Sequence, residues 1–318
     1  MSQSKSHHHL LIIFGYVALV LVLGAILAPA LFFAGQSVIQ SSPNGMVAKI
    51  LDDKEFSSYF NRAALIVAIF GLWPLFKSLH ITRQEVLGSE KAKSGWGTFL
   101  TGFFLAAILL FAMGFGFQQF DAYRFRPDAA WFKIFKPLSS ALTVGIIEEF
   151  LFRGAIFSVL CRSLGAKAGL WWTTLLFATV HFLQPPDDGA LLNANVTWTS
   201  GFWVIGQLFR GFGEVDHFLA EFCTLMAVGW ALGQVRVSSG GLWGSIGLHA
   251  GWVFGLKYFG QLTKNSGSLK RGEWLPWIGS NLKVGLTPLI VVVLTGLIML
   301  WIIHKRRAAQ EKSIAISS

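Results

Sequence analysis

Two adjacent glutamates and an arginine lie in the middle of a stretch that is otherwise typical of a membrane-buried helix. Between Pro137 and Cys161 the ionisable side chains before the final cysteine are Glu148, Glu149 and Arg153. On insertion scales each such charge costs about 2.5–3.5 kcal/mol at the bilayer centre. The three charges therefore need partners or a polar cavity, and any fold of this chain must supply them.

The spacing of these charges predicts one ion pair. Glu149 and Arg153 are four residues apart, so on a helix they lie on one face and can pair. Glu148 lies about 100° further round the helix and lacks that partner. A carboxylate set apart in this way is a candidate general base. The alternative is a structural salt bridge with a second glutamate that faces a water-filled gap.

The composition is that of a membrane protein. The chain of 318 residues is 53% hydrophobic and 13% charged, whereas soluble domains carry about 25% charged residues. The net charge is +10, and the lysine and arginine residues flank the apolar runs. We therefore expect contact with anionic lipid headgroups of the bilayer and no nucleic-acid partner. Cys161 and Cys223 lie at or within apolar runs without a metal-binding or disulfide spacing. We expect a multi-pass protein of the bacterial inner membrane.

The apolar runs predict an all-α fold, a polytopic membrane helical bundle of about eight transmembrane helices with an intramembrane polar cavity. The expected spans are 11–34, 59–79, 96–117, 137–161, 168–183, 218–235, 242–259 and 284–303. The aromatic and basic stretch 118–136 is expected to form a helix in the membrane interface. The short apolar run 198–209 is consistent with a re-entrant or interfacial element.

We expect the whole chain, 1–318, to form a single integral membrane domain with three parts. Residues 1–136 supply the N-terminal spans and the interfacial segment, residues 137–260 form the core, and residues 261–318 form the last span with a basic tail. The two adjacent glutamates therefore lie in the core part, together with the polar groups described next.

Two histidines also lie at intramembrane positions, where histidine is costly. His181 closes the fifth expected span, one turn after Phe177, and His249 lies in the middle of the seventh. Each alone is more typical of a hydrogen-bonded packing residue. Together with the glutamates they place ionisable groups on three spans, and such groups avoid lipid by converging on one cavity.

The seventh expected span adds a packing argument. Gly247, Gly251 and Gly255 repeat every fourth residue and form a smooth ridge for close helix approach. His249 lies about 200° from Gly247 around the axis, so the ridge is expected to press on a neighbouring helix while His249 faces the cavity. Ser245, one turn earlier, shares the face of His249. An ordinary packing ridge explains the glycines equally well.

A glutamate with two histidines admits two chemistries. The set can hold a catalytic zinc ion, because carboxylate and imidazole are common zinc ligands. Alternatively, Glu148 and His181 activate a water molecule directly while His249 stabilises the oxyanion of a tetrahedral intermediate. The chain lacks an HExxH motif, which weakens the metal hypothesis. No metal or other cofactor is therefore expected.

The order and spacing of these residues resemble a known family. Glu148 to Arg153 match the motif EExxxR, Phe177 to His181 match FxxxH, and a later helix carries His249. The three elements resemble the CPBP family (CAAX proteases and bacteriocin-processing enzymes), which are glutamic intramembrane endopeptidases of the type II CAAX prenyl protease kind. The resemblance covers roughly residues 137–260.

The resemblance implies an eight-helix membrane fold with a water-accessible cavity and a catalytic role for each motif residue. It implies that Glu148 is the general base and that Glu149 is held in place by Arg153. It further implies that His181 assists the water molecule and that His249 helps to form the oxyanion site.

The chain departs from the family at the last motif, which is HxxxN or HxxxD. Val253 stands where the family has the amide or acid, and valine donates no hydrogen bond. Loss of one oxyanion donor costs on the order of 10²–10³ in rate. Ser245, Phe177 and Trp252 are the remaining candidates for oxyanion or substrate contacts.

These observations predict an intramembrane endopeptidase. Its substrate would be a peptide or protein, prenylated or membrane-anchored, that is cleaved near the membrane surface. The alternative is a non-catalytic relative that acts in binding, immunity or scaffolding, which Val253 favours. A proton-coupled transporter is a third hypothesis, because buried glutamate and histidine also serve proton relays.

Overall fold

The structure, a computed structural model, describes residues 3–52, 54–88, 95–183, 195–208 and 215–317. The chain divides into two compact units, which are described separately. The first unit comprises Met1–His80 and Thr179–Gly213, and the second comprises Ile81–Ala178 and Glu214–Ser318. The three-part division of a single membrane domain stays a prediction.

The described elements are mostly helices. In chain order they are α1 (Gln3–Ser41), α2 (Met46–Asp52), α3 (Phe56–Leu79), α4 (Arg83–Leu87), α5 (Gly95–Gln119), β1 (Tyr123–Phe125), α6 (Phe135–Glu149), a π-helical segment (Phe150–Ile156), α7 (Phe157–Leu164), α8 (Ala166–Val180), α9 (Ser200–Gln207), α10 (Val215–Ser239), α11 (Trp243–Leu262), β2 (Thr263–Asn265), α12 (Gly267–Lys270) and α13 (Leu286–Ser317).

The first unit is built on the packing of α1 against α3. Phe32 on α1 makes edge-to-face contacts with Phe56 and Tyr59 on α3, at centroid distances of 5.7 and 5.3 Å. The short helix α9 packs on α1 at Gly201, where a Cβ atom would lie 2.0 Å from the carbonyl oxygen of Ala25. The apolar run 198–209 is therefore helical over Ser200–Gln207, and its last residue lies outside the described part of the chain.

The second unit is organised by the packing of α11 on α5. Cβ atoms added at Gly247 and Gly251 would lie 2.1 and 2.3 Å from the carbonyl oxygens of Phe99 and Phe103. Side chains at these positions would prevent the two backbones from approaching this closely. The predicted glycine ridge on the seventh span is confirmed.

The helix with the two glutamates is continuous from α6 through the π-helical segment to α7. Pro137 stands in its first turn, where a missing N–H group costs nothing. The π-helical segment begins directly after Glu149, and π turns are frequent at functional sites. Gly165, with φ of 84°, ends α7 in a left-handed conformation that favours glycine.

Within the described residues, five helices are long and apolar enough to cross a membrane: Leu11–Ser41, Phe56–Leu79, Gly95–Gln119, Phe218–Ser239 and Leu286–Ser313. These five helices coincide with five of the eight expected spans. The protein is therefore an integral membrane protein of the all-α class. The other three expected spans correspond to α6 to α7 with its π-helical interruption, to α8 with 15 residues, and to α11. The count of eight stays a prediction.

The expected interfacial helix over 118–136 is wrong. Helix α5 ends at Gln119, and β1 follows, pairing antiparallel with β2 through Tyr123↔Asn265 and Phe125↔Thr263. Pro127 lacks an N–H donor and disfavours a helical conformation of the residue before it. Because β2 satisfies the backbone of β1, this stretch is a strand and turns until α6 begins.

Candidate active site

The predicted ion pair between Glu149 and Arg153 forms inside the second unit. Arg153 Nη1 lies 2.7 Å from Glu149 Oε1, and the two side chains are 1% and 0% exposed. Arg153 Nη2 donates a hydrogen bond to the carbonyl oxygen of Gly229 on α10 at 3.2 Å. A buried pair depends on such additional hydrogen bonds, because removing both charges from water is costly.

His249 joins this pair from α11. Its Nδ1 lies 2.9 Å from Oε1 of Glu149, the same oxygen that accepts from Arg153. Because a carboxylate only accepts hydrogen bonds, the imidazole donates from Nδ1–H. This contact orients the ring, and the opposite nitrogen, Nε2, lies 3.9 Å from Oε2 of Glu148.

The two adjacent glutamates therefore have different surroundings. The side chain of Glu148 is 28% exposed, whereas Glu149 is completely enclosed by Arg153 and His249. The separation of 3.9 Å between Glu148 and His249 is longer than a direct hydrogen bond. The two atoms are too close for an oxygen atom to lie between them, but an oxygen atom of water or substrate beside them can contact both groups.

Phe177 on α8 forms an aromatic wall behind the charged groups. Its ring centroid lies 4.3 Å from Arg153 Cζ, within range of a cation–π interaction. The same ring meets His249 edge to face at a centroid distance of 6.0 Å and Phe152 at 5.2 Å. Phe177 is buried and packs against both Arg153 and His249.

The two further candidates on α11, Ser245 and Trp252, are buried, and Val253 on the same helix is half-buried. Ser245 Oγ lies 3.0 Å from the carbonyl oxygen of Leu242, to which it donates, and its side chain is also close to Glu149. The indole nitrogen of Trp252 is buried and has no hydrogen-bond partner among the described residues. Val253 packs against an apolar cluster that contains Phe254 and Ala250. An apolar packing residue thus stands where the family has an amide or acid.

His181, the histidine of the FxxxH motif, lies four residues after Phe177. It belongs to the first unit, in the turn after α8, where the Phe182 N–H donates to the carbonyl oxygen of Thr179 at 3.1 Å. Its role as a partner of Glu148 stays a prediction. In the described part of the chain, no group of three or more His, Cys, Asp or Glu side chains is arranged to hold a metal ion.

Two features of the site were not predicted from the sequence. One is the π-helical segment that carries Arg153, and the other is the carbonyl group of Gly229. A Cβ atom at Gly229 would lie 3.1 Å from Thr174 Cγ2 and 3.4 Å from Phe177 Cδ1, so glycine lets α10 approach α8 closely. A glycine inside an apolar span was the available signal, but nothing in the sequence connects it to Arg153.

The site can stabilise developing negative charge and accept a proton. The side chain of Glu148 is partly exposed, although its Oε2 atom is buried, and His249 presents Nε2 toward that atom from a ring fixed by Glu149. A base beside an oriented imidazole is what general base catalysis with oxyanion stabilisation requires.

Comparison with known families agrees with this arrangement. Residues 130–255 match the profile of the family described as Type II CAAX prenyl endopeptidase Rce1-like. The matched region contains every motif residue of the site: Glu148, Glu149, Arg153, Phe177, His181 and His249. No curated protein and no solved structure shows a significant match to the chain. Over residues 130–255 the chain is therefore similar to the Rce1-like type II CAAX prenyl endopeptidases, and its resemblance to the CPBP family is confirmed.

Proposed function

We propose that the protein is a glutamic intramembrane endopeptidase that hydrolyses a peptide bond near the membrane surface. One observation carries the proposal: Glu148 Oε2 lies 3.9 Å from Nε2 of His249. The other ring nitrogen of His249, Nδ1, contacts Glu149, which is itself paired with Arg153. The match to a peptidase family over residues 130–255 supports the same class of reaction.

In the proposed reaction Glu148 accepts a proton from water while the water oxygen attacks the scissile carbonyl carbon. In this step His249 carries a proton on each ring nitrogen. Its Nε2–H donates to the oxyanion of the tetrahedral intermediate, and its Nδ1–H donates to Glu149, which stabilises the positive charge on the ring. The C–N bond then breaks, and Glu148 returns its proton to the leaving amine. By resemblance to the family, His181 assists the attacking water.

The proposed substrate is a peptide or protein that is prenylated or anchored in the membrane. The family match supports this class, because the matching family is described as prenyl endopeptidases. We place the protein in the inner membrane of a bacterial cell. The reaction as proposed uses no metal ion and no other cofactor.

A cleavage assay with detergent-purified protein and a library of membrane-anchored peptides tests the proposal. Glu148→Gln keeps the shape of the side chain but removes the base, and we expect cleavage to fall by about 10²–10⁴-fold. Glu311→Gln alters an exposed glutamate on α13 and is expected to leave the rate unchanged. Retained cleavage by Glu148→Gln would contradict the proposal. Loss of wild-type cleavage with a chelator, reversed by zinc, would instead support a metal-dependent mechanism.

A non-catalytic membrane protein with a binding, immunity or scaffold role is the second candidate. The observation that favours it is Val253, whose side chain packs in an apolar cluster instead of donating to an oxyanion. Under this alternative the wild type cleaves no peptide, and Glu148→Gln leaves its binding function intact. Cleavage that appears only in Val253→Asn would assign the wild-type chain to this group.

A further inference from the structure

Two adjoining cavities in the second unit share the side chain of Arg126. Their volumes are about 700 and 510 Å³, within the range of small-molecule sites. Their charged lining consists of five cations and one carboxylate: Arg126, Lys133, Lys136, Lys264, Lys270 and Asp128. We propose that these cavities, together called the basic double cavity, bind the phosphate headgroup of an anionic phospholipid.

The cations of the basic double cavity are available for a ligand. Among the described residues, none of the five forms an ion pair with a carboxylate. Arg126 is oriented by its Nε, which donates to the carbonyl oxygen of Thr263 at 2.9 Å. This bond leaves the two terminal nitrogens of the guanidinium for a phosphate, which arginine binds in a bidentate manner.

The walls of the cavity are fixed by contacts within the protein. Tyr258 on α11 donates from its hydroxyl to the carbonyl oxygen of Trp131 at 2.5 Å. Gln261, one turn later, donates from Nε2 to the carbonyl oxygens of Ala130 and Lys133 at 3.3 and 3.2 Å. The loop before α6 is thus tied to the end of α11 without any ligand, and a preformed site avoids the entropic cost of ordering.

The aromatic residues beside the cavity identify a lipid as the source of the phosphate. Trp131, Phe132 and Phe135 expose 49, 78 and 77% of their surface next to the cations. Exposed aromatic side chains beside lysine and arginine are typical of the headgroup level of a membrane. A phospholipid satisfies both features, because its phosphate contacts the cations while its acyl chains contact the aromatic rings.

The basic double cavity is separate from the candidate active site. Gln261 lies twelve residues after His249 on α11, and Lys136 lies twelve residues before Glu148 on α6. At 1.5 Å per residue each separation is about 18 Å along the helix. A bound lipid would therefore hold the ends of both helices that carry the site. The inference concerns binding and does not depend on the proposed proteolysis.

Binding of short-chain phosphatidylglycerol to the purified full-length chain tests the proposal. Lys133→Gln with Lys264→Gln removes one exposed cation from each cavity. Each basic residue near an anionic headgroup contributes about fivefold in affinity, so we expect Kd to rise by about 25-fold. The matched control, Lys305→Gln with Lys312→Gln, removes the same charge from exposed positions on α13 and should change Kd by less than about twofold.

Further ligands separate a lipid from other anions. Short-chain phosphatidylcholine should bind at least about tenfold more weakly than phosphatidylglycerol, because its headgroup carries no net charge. If phosphatidylglycerol binding weakens equally in the cavity variant and in the α13 control variant, the proposal is overturned, because the lipid then responds to the overall surface charge and not to the cavity. Inorganic phosphate that binds as tightly as the lipid would overturn the lipid assignment. A third outcome would assign the site to a peptide instead of a lipid. In that case the protein binds a peptide through its free C-terminal carboxylate, the Lys133→Gln with Lys264→Gln variant loses this binding, and no lipid binds.

Discussion

Replacement of Arg153 by methionine should destabilise the protein strongly. The guanidinium lies 2.7 Å from Glu149, donates to the carbonyl oxygen of Gly229, and covers the ring of Phe177 at 4.3 Å. Arg153→Met preserves much of the volume but leaves the completely buried carboxylate of Glu149 without its arginine, beside His249 and Ser245. The change therefore removes charge compensation more than packing.

The size of the effect follows from this burial. Removing one partner of a buried ion pair costs about 3–5 kcal/mol, which is two to four powers of ten in the unfolding equilibrium constant. Adding Glu149→Gln to Arg153→Met should recover part of this loss, because no carboxylate is then buried without compensation. The double-mutant cycle isolates the energy of the pair.

Unfolding in mixed detergent micelles measures these free energies. The matched control is Arg162→Met, which breaks an ion pair with Glu85 whose side chains are 29% and 34% exposed. We expect the control to cost less than about 1 kcal/mol, since partly exposed pairs are screened by solvent. If Arg153→Met lowers the free energy of unfolding by no more than Arg162→Met does, burial does not make the Glu149–Arg153 pair more important for stability than the partly exposed one.

Two further predictions concern packing and pH. Gly247→Ala should lower the free energy of unfolding by about 1–3 kcal/mol, because its Cβ would lie 2.1 Å from a carbonyl oxygen of α5. The control is Gly260→Ala on the same helix, whose Cβ meets no atom within 4 Å. It should be neutral or stabilising in the same unfolding assay. Partial burial raises the pKa of Glu85, but the hydrogen bonds from Thr82 and Arg162 outweigh it and hold the pKa below its usual value. The stability from Glu85 is therefore present above its unfolded pKa of about 4.3 and lost as pH falls through the folded pKa. The stability difference between wild type and Glu85→Gln should shrink below about pH 4, and a constant difference would contradict this reasoning.

Local helix geometry explains which parts of the site the sequence predicts. The Glu149–Arg153 pair depends on a spacing of four residues, and the glycine ridge of α11 depends on a repeat of four, so both follow from the helical period. The pairing of His249 with Glu149 joins residues 100 positions apart. No local pattern encodes such a contact, and the sequence predicted only that His249 faces a shared cavity.

The strand β1 shows the same limit in the fold. Its sequence, with alternating aromatic and basic residues before Pro127, was compatible with an interfacial helix. The strand forms because β2, more than a hundred residues later, supplies its hydrogen-bond partners. Tertiary pairing of this kind overrides local propensity, and a single sequence does not indicate which segment will provide it.

In the proposed mechanism Glu148 acts as the base, whereas Glu149 holds the structure together. Cleavage rate and unfolding free energy, both measured on Glu148→Gln and Glu149→Gln, test it directly. We expect Glu148→Gln, at a side chain that is 28% exposed, to lose cleavage by about 10²–10⁴-fold and to keep its stability within about 0.5 kcal/mol. Glu149→Gln removes the hydrogen-bonded counter-charge of buried Arg153 and should lose about 3–5 kcal/mol of stability. Wild-type cleavage by Glu148→Gln, or equal loss of stability in both variants, would contradict the account.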